Sequence, residues 1–389
     1  LNKASYLIGF KVILVFLICA CEADVAEQPG TPDSGAGSSR LSELLRSDGA
    51  EGFPRVTDPR EFRFPADHGP HDEYRNEWWY FTGNLDGEDG RRFGFELTIF
   101  RFLLAPEENR NTGSAWQSNQ VYIGHFALTD VEQKQFHVVQ RYSRGSAGLA
   151  GAESEPFRIW LDDWSISEVG TGPGGQAVWR LRANDTDIAV DLNFVAEKPV
   201  VLNGDNGLSQ KSAEVGNASY YYSIPRLGTS GTVRVREEMH SASGITWLDR
   251  EWGSSALARD QQGWDWFALQ LSDGSDLMFY TLRGQDGSTH PDSSGTWIDA
   301  AGNAHHLTGN DVVVEVKDYW DSERGGRYPS AWEIRIPGKN VAISVVPVLE
   351  DQELITNVRY WEGAVDVSGD AAGQPIHGRG YVELTGYAN

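Results

Sequence analysis

The chain has 389 residues, with 33 Lys and Arg against 56 Asp and Glu, for a formal charge of −23 at neutral pH. A surface this acidic repels phosphate backbones and anionic headgroups, which excludes nucleic-acid binding and docking on a membrane through a basic patch. Aromatic residues make up 11% of the chain, enough to fill the cores of two ordinary domains.

In chain order, the first segment is not part of the fold. Lys3 and Lys11 precede an unbroken apolar run from Val12 to Ala20, too short to span a bilayer but right for the core of a secretory leader. Residues 1–20 therefore read as a lipoprotein signal peptide. The run ends Cys19-Ala20-Cys21, a lipobox-like ending in which Cys21 would take a diacylglyceryl group and become the mature N-terminus. Cys19 would leave with the leader, so no disulfide is expected. Residue 22 is Glu rather than Asp, and the expected location is the periplasmic face of the outer membrane. Residues 21–52, rich in Gly, Ser, Pro and acids, read as a flexible linker between lipid and folded body.

From Phe53 onward the pattern is short alternating runs punctuated by Asp-Gly and Asn-Gly turns, which is the pattern of an all-β chain. Glu77 to Asn84 is a predicted strand, Asp86 to Gly90 its turn, and Arg92 to Phe102 the returning strand. Val121 to Leu128 is another strand and carries His125. Gly263 to Leu271, the turn Ser272-Asp273-Gly274 and Asp276 to Arg283 repeat the first hairpin's plan, so two related β-domains are expected. Their limits are 53–255 and 256–389, with the boundary between Gly253 and Gln262.

The run Ile245 to Trp252 carries the candidate chemistry. On a strand, Trp247, Asp249 and Glu251 share one face, while Leu248, Arg250 and Trp252 share the other. Two carboxyls beside an indole in an apolar wall would hold at least one proton at neutral pH, because burial and mutual repulsion both disfavour ionisation. The competing account makes Arg250 and the two acids structural ion pairs that close a barrel end. Asp265, between Trp264 and Trp266, would then pair with Arg250 or Arg226. His68 and His71 with Glu77 have chelating spacing, but Gly69-Pro70 between them describes a turn into the first strand and no third ligand set stands out, so no metal is expected. There is no Gly-x-Ser-x-Gly elbow and no Ser-His-Asp grouping to support ester hydrolysis.

The stretch Phe64 to His71 with Arg75, Glu77-Trp78-Trp79-Tyr80 and Thr82-Gly83-Asn84, followed in order by Gly124-His125-Phe126-Ala127, Ala218 to Ser223, Trp247 to Trp252, Gly263 to Phe267, Tyr360 to Val365 and Gly380 to Tyr387, resembles the AttH-like/carotenoid 1,2-hydratase (hydroxyneurosporene synthase) family. The resemblance covers Phe53 to the C-terminus. It implies two lipocalin-like, or calycin, antiparallel β-barrels holding an elongated apolar lipid or isoprenoid, with no cofactor. Hydrating an isolated alkene needs an acid, aromatic faces for the tertiary cation and a held water. Asp249 is the expected acid and Glu251 or His125 the water holder. Trp247, Trp264, Tyr222, Trp79 and Arg250 form the expected substrate wall. Calycins also place a first-strand tryptophan under an arginine, which implies Trp78 or Trp79 with Arg101, and Trp264 or Trp266 with a second-domain arginine. The alternative function is a non-catalytic periplasmic lipid carrier, with an ABC-type exporter as its partner.

Overall fold

Aromatic and β-branched residues dominate the predicted strands, and they form strands because such side chains fit a pleated, half-buried surface. The computed structural model describes residues 50–106, 118–255 and 257–388, so the leader, Cys21 and the linker up to residue 49 lie outside the described residues. The first sheet contains β1 (Asn76–Gly87), β2 (Arg92–Leu103), β3 (Gln120–Asp130), β4 (Gln135–Arg144), β5 (Ala150–Ser154), β6 (Phe157–Leu161), β7 (Trp164–Thr171), β8 (Ala177–Asn184), β9 (Ile188–Ala196), β10 (Val201–Leu202), β11 (Leu208–Gln210), β12 (Ala218–Val235) and β13 (Glu238–Gly253). The second contains β14 (Gln261–Leu271), β15 (Asp276–Gly284), β16 (Ser294–Ile298), β17 (Ala304–Thr308), β18 (Val313–Asp321), β19 (Arg327–Ile336), β20 (Val341–Pro347), β21 (Glu353–Ile355), β22 (Arg359–Ala371) and β23 (Gln374–Leu384). Among the described residues there is no α-helix. The β1–β2 turn depends on Gly90, whose φ of +85° suits a residue without Cβ.

The spatial order of the first sheet is β4-β3-β2-β1-β13-β12-β9-β8-β7-β6-β5, and that of the second is β17-β16-β15-β14-β23-β22-β20-β19-β18. Every pairing is antiparallel. Each sheet curls around its own core, Phe81, Leu97, Ile159, Trp164 and Leu181 in the first, and Phe267, Leu269, Trp332, Ile334 and Val382 in the second. The protein is thus all-β, with two lipocalin-like antiparallel barrels.

Strands β1, β2, β12 and β13 are buried on both faces, and so are β14, β15, β22 and β23. Their outward faces pack against each other. Tyr80, Tyr221 and Trp247 from the first sheet meet Trp266, Met278 and Tyr381 from the second in a separate core. The sheets approach closely at Gly94, where an added Cβ would lie 2.7 Å from Ala364 Cβ. Polar bonds fix their orientation: Asp276 accepts from Lys198 at 2.6 Å and Arg226 at 2.8 Å, and Asn84 donates to the Gly380 carbonyl at 3.0 Å.

The arginine–aromatic pairs differ from the expected ones. Arg250, not Arg101, covers Trp79, with its guanidinium carbon 3.8 Å from the ring centroid. Glu77 takes both arginines as ion partners in a fully buried triad, which holds its carboxyl well below the usual range although burial opposes this. In the second barrel Arg283 lies over Tyr387 at 3.7 Å and pairs with Asp265 at 2.9 Å, so neither Trp264 nor Trp266 is its partner, and Asp265 meets neither Arg250 nor Arg226. His71 stacks on Trp252 at 3.7 Å and bonds Asp67 at 3.1 Å, which makes it a brace for the segment entering β1.

Candidate functional site

Period-two alternation on doubly buried strands decides which side chains reach the space between the sheets. On β13 it sends Asp249 and Glu251 outward from the first barrel and Arg250 into it. Antiparallel register then aligns Asp249 with Tyr80 on β1 and Ser223 on β12, and Tyr80 with Thr98 and His125 beyond. On the second sheet Glu362, Glu383, Trp266 and Tyr280 fall in one cross-strand row. The two rows face each other across a cleft of about 740 Å³, counting the space at its mouth. The first sheet supplies Trp78, Tyr80, Phe100, Tyr221, Asp249 and Glu251; the second supplies Trp264, Trp266, Tyr280, Tyr360, Glu362 and Glu383.

Asp249 sits at the centre of a directed set of bonds. Its Oδ1 accepts from Trp247 Nε1 at 2.6 Å and Ser223 Oγ at 2.5 Å, and its Oδ2 accepts from the Tyr221 hydroxyl. Tyr221 in turn accepts from Trp266 Nε1 at 3.1 Å, so the second sheet polarises a hydroxyl of the first. Burial pushes Asp249 up to about 7; its three donors oppose the rise and Glu251 adds to it. Glu251 accepts from Ser219 Oγ and pairs with Lys211 Nζ at 3.0 Å. Burial works against the Lys211 charge, yet Glu251 keeps its pKa above the ordinary lysine value.

Glu362 accepts from the Tyr80 hydroxyl at 2.5 Å and also bonds Tyr360. Burial, then the charges of Glu96 and Glu383, raise it well above the carboxylate range. Glu383 is pushed up to about 7 by burial, opposed by a bond from Trp264 and reinforced by Asp249 and Glu251. All three carboxyls are shifted upward, in each case first by burial, which favours their protonated forms.

His125 stands one residue back from the cleft. Its Nδ1 lies 2.7 Å from the Tyr360 hydroxyl and its Nε2 lies 2.7 Å from Gln140 Nε2. Gln140 Oε1 already accepts from Tyr142 and from the Asn357 amide, so the Gln140 amide nitrogen donates to His125 Nε2. The proton of the neutral ring is therefore on Nδ1, pointed at Tyr360. Burial lowers His125 to about 3, so it is neutral at physiological pH. It orients Tyr360, which leaves the Tyr360 proton for Glu362.

Among the residues expected to bind substrate, Trp264 lines the cleft. Trp247 is buried beside it and gives its indole N–H to Asp249 rather than its face to the cavity. Tyr222, Trp79 and Arg250 point into the first barrel, where Tyr222 bonds His68 at 2.7 Å and Arg250 covers Trp79. Strand parity keeps them off the cleft: each occupies the face opposite Tyr221, Tyr80 or Asp249. This cleft lies between the two sheets, and a second cavity is lined by first-barrel residues, among them His68, Trp179, Phe194, Ile224 and Leu227. Sequence reasoning missed Glu362, Glu383, Tyr80, Tyr360 and Lys211. The available signal was an isolated acid inside each of two aromatic strands, Tyr360-Trp361-Glu362 and Tyr381-Val382-Glu383.

An acid-bearing, aromatic cleft between two packed lipocalin-like barrels defines the class of this protein. The chain belongs to the AttH-like family, whose sequence model matches residues 55–387. It is similar to an AttH protein of known structure from Nitrosomonas europaea, with 32% identity, coverage of 86% of this chain and 100% of that one, and a TM-score of 0.75. Kievitone hydratase of Fusarium solani subsp. phaseoli is 25% identical over 232 residues, 54% of this chain and 60% of that protein, so the match spans less than two thirds of that relative. The crystal structure of kievitone hydratase from Nectria haematococca covers 86% of this chain and 96% of its own with a TM-score of 0.64; at 17% identity it shares the fold.

Proposed function

We propose that this protein is a hydratase that adds water across a carbon–carbon double bond of an elongated apolar substrate of isoprenoid type, in the cleft between its sheets. The observation that carries the reading is Asp249, a buried carboxyl pushed up to about 7 and facing a wall of indoles. A general acid works best with a pKa near the operating pH.

The O–H bond of Asp249 breaks as the alkene π pair forms a C–H bond at the less substituted carbon. The tertiary cation left next to it lies against the faces of Trp78, Trp264 and Trp266. A water oxygen bonds to that cation, and its surplus proton passes to the Asp249 carboxylate directly or through Glu251. The net change is one water added and no proton consumed. Glu362 stands between Tyr80 and Tyr360, where burial favours its protonated form and so limits the negative charge around the nascent carboxylate. The kinship with kievitone hydratase supports water addition as the reaction class. A simple carrier has no use for protonatable acids in its ligand cavity, where each costs folding free energy.

We extend the proposal to location: the leader pattern and Cys21 support export and a lipid anchor at the periplasmic face of the outer membrane. The test of the activity is incubation of the protein with an isoprenoid-rich membrane extract in heavy-oxygen water, followed by mass spectrometry. Hydration places heavy oxygen on a tertiary carbon of the product. Unaltered lipid co-purifying with the protein would replace the proposal with a carrier role, and a rearranged unlabelled product would replace it with isomerisation or cyclisation.

A further inference from the structure

The cleft contains one ammonium among the described residues, and its surroundings show how the walls accommodate a cation. Lys211 Nζ lies 3.0 Å from Glu251 Oε1, 4.4 Å from the centre of the Tyr280 ring and 5.2 Å from that of Tyr221. A carboxylate combined with aromatic faces is the chemistry that recognises organic ammonium groups. The rest of the wall repeats these parts, placing Asp249, Glu362 and Glu383 beside Trp78, Trp264 and Trp266. Glu251 is only 5% exposed and lines the cleft, where its Oε1 takes both Ser219 and Lys211.

We propose that the cleft binds apolar amines as their ammonium ions, with the monocationic head among Asp249, Glu362 and Glu383 and the hydrocarbon chain along the indole faces. The inference rests on the reading of the cleft as a carbocation site. An ammonium ion has the charge and shape of the tertiary cation formed on protonation, and a site complementary to that cation binds its stable mimic.

The titratable groups facing the head are Asp249, Glu251, Tyr80 and Tyr221 from the first sheet with Lys211 beside them. From the second sheet come Glu362, Glu383, Tyr280 and Tyr360, and Glu96 stands behind, its charge acting on Glu362. Asp249 and Glu383 each hold a proton up to about pH 7. A bound cation favours their ionised forms, so it expels a proton on entry. Binding then tightens about tenfold per pH unit below about pH 7 and levels off above it.

The experiment titrates the full chain with octyltrimethylammonium and, as a neutral control, 1-octanol. Calorimetry in two buffers of different ionisation enthalpy counts the protons released. The expected result is about one proton released per ammonium near pH 6, about tenfold tighter binding one pH unit higher, and a pH-independent, weaker response to octanol. The double substitution Asp249→Asn with Glu383→Gln is expected to abolish proton release and weaken ammonium binding at least about tenfold, while melting as a folded protein. Ammonium binding no tighter than octanol, or independent of pH, overturns the proposal and needs no variant to be read. Labelled product in heavy-oxygen water together with that failure would remove the ammonium site and leave the hydratase standing. Proton-coupled ammonium binding without labelled product would support the site and remove the hydratase.

Discussion

Replacing Asp249 with asparagine keeps the side-chain volume while removing one titratable group, so its effect on stability is calculable from the cleft. The unfolded chain releases this proton near 3.8 and the folded chain near about 7. Between those values the folded state binds more protons, so wild-type stability falls as pH rises from about 4 to about 7 and is level above that. At 1.36 kcal/mol per pKa unit, the loss is on the order of 4 kcal/mol. The Asp249→Asn variant lacks this contribution to the slope, while Glu383 keeps its own. The amide oxygen of the new side chain still accepts from Trp247 and Ser223, whereas the Tyr221 hydroxyl loses its carboxylate acceptor, a cost of about 1 kcal/mol. Asp249→Asn is therefore expected to be slightly less stable than wild type near about pH 4.5 and more stable by roughly 2–4 kcal/mol near about pH 8. Urea unfolding of both proteins across that range reads the difference directly. Parallel stability curves would refute the assignment of Asp249 as a buried acid that keeps its proton to neutral pH. The same substitution is expected to lower turnover by about 10²–10⁴-fold, the usual worth of a general acid.

Arg250→Met leaves Glu77 with one ion partner and uncovers Trp79, so it is expected to cost about 3–5 kcal/mol in urea unfolding; a loss under about 1 kcal/mol would contradict the buried triad. Glu362→Gln preserves shape, and its expected signature is a fall in turnover of at least about tenfold with little change in melting temperature. An unchanged rate would remove Glu362 from the chemistry. Tyr360→Phe strands the Nδ1 proton of His125 in a buried site and is expected to destabilise by about 1–3 kcal/mol, which His125→Phe in the same background should largely reverse. Cys21→Ser is expected to move the exported chain from the detergent phase to the aqueous phase in Triton X-114 partitioning, and an unchanged partition would remove the lipid anchor.

Strand positions and the outward pairing of Asp249 with Glu251 were legible because a period of two puts alternate residues on one face whatever the fold. The direction of each face was not. In Glu77-Trp78-Trp79-Tyr80 and in Tyr220-Tyr221-Tyr222 both faces are buried aromatic, so no polar–apolar alternation tells Trp79 and Tyr222, which fill a barrel, from Tyr80 and Tyr221, which line the cleft. Arg250 fell into the predicted site because it is adjacent to Asp249 in sequence, though adjacency on a strand means opposite faces. Glu362 and Glu383 escaped for another reason. They lie more than a hundred residues beyond Asp249, and the packing of the second sheet on the first, which no local pattern encodes, brings Glu362 under the Tyr80 hydroxyl.

The most direct test of the central claim is a product analysis in heavy-oxygen water that compares wild type with Asp249→Asn on the same isoprenoid extract. The cleft chemistry described above predicts one heavy oxygen per product molecule with the wild type and none with the variant, while both proteins retain bound lipid. Equal labelling by the two would contradict Asp249 as the proton donor, and the absence of label from both would contradict hydration itself.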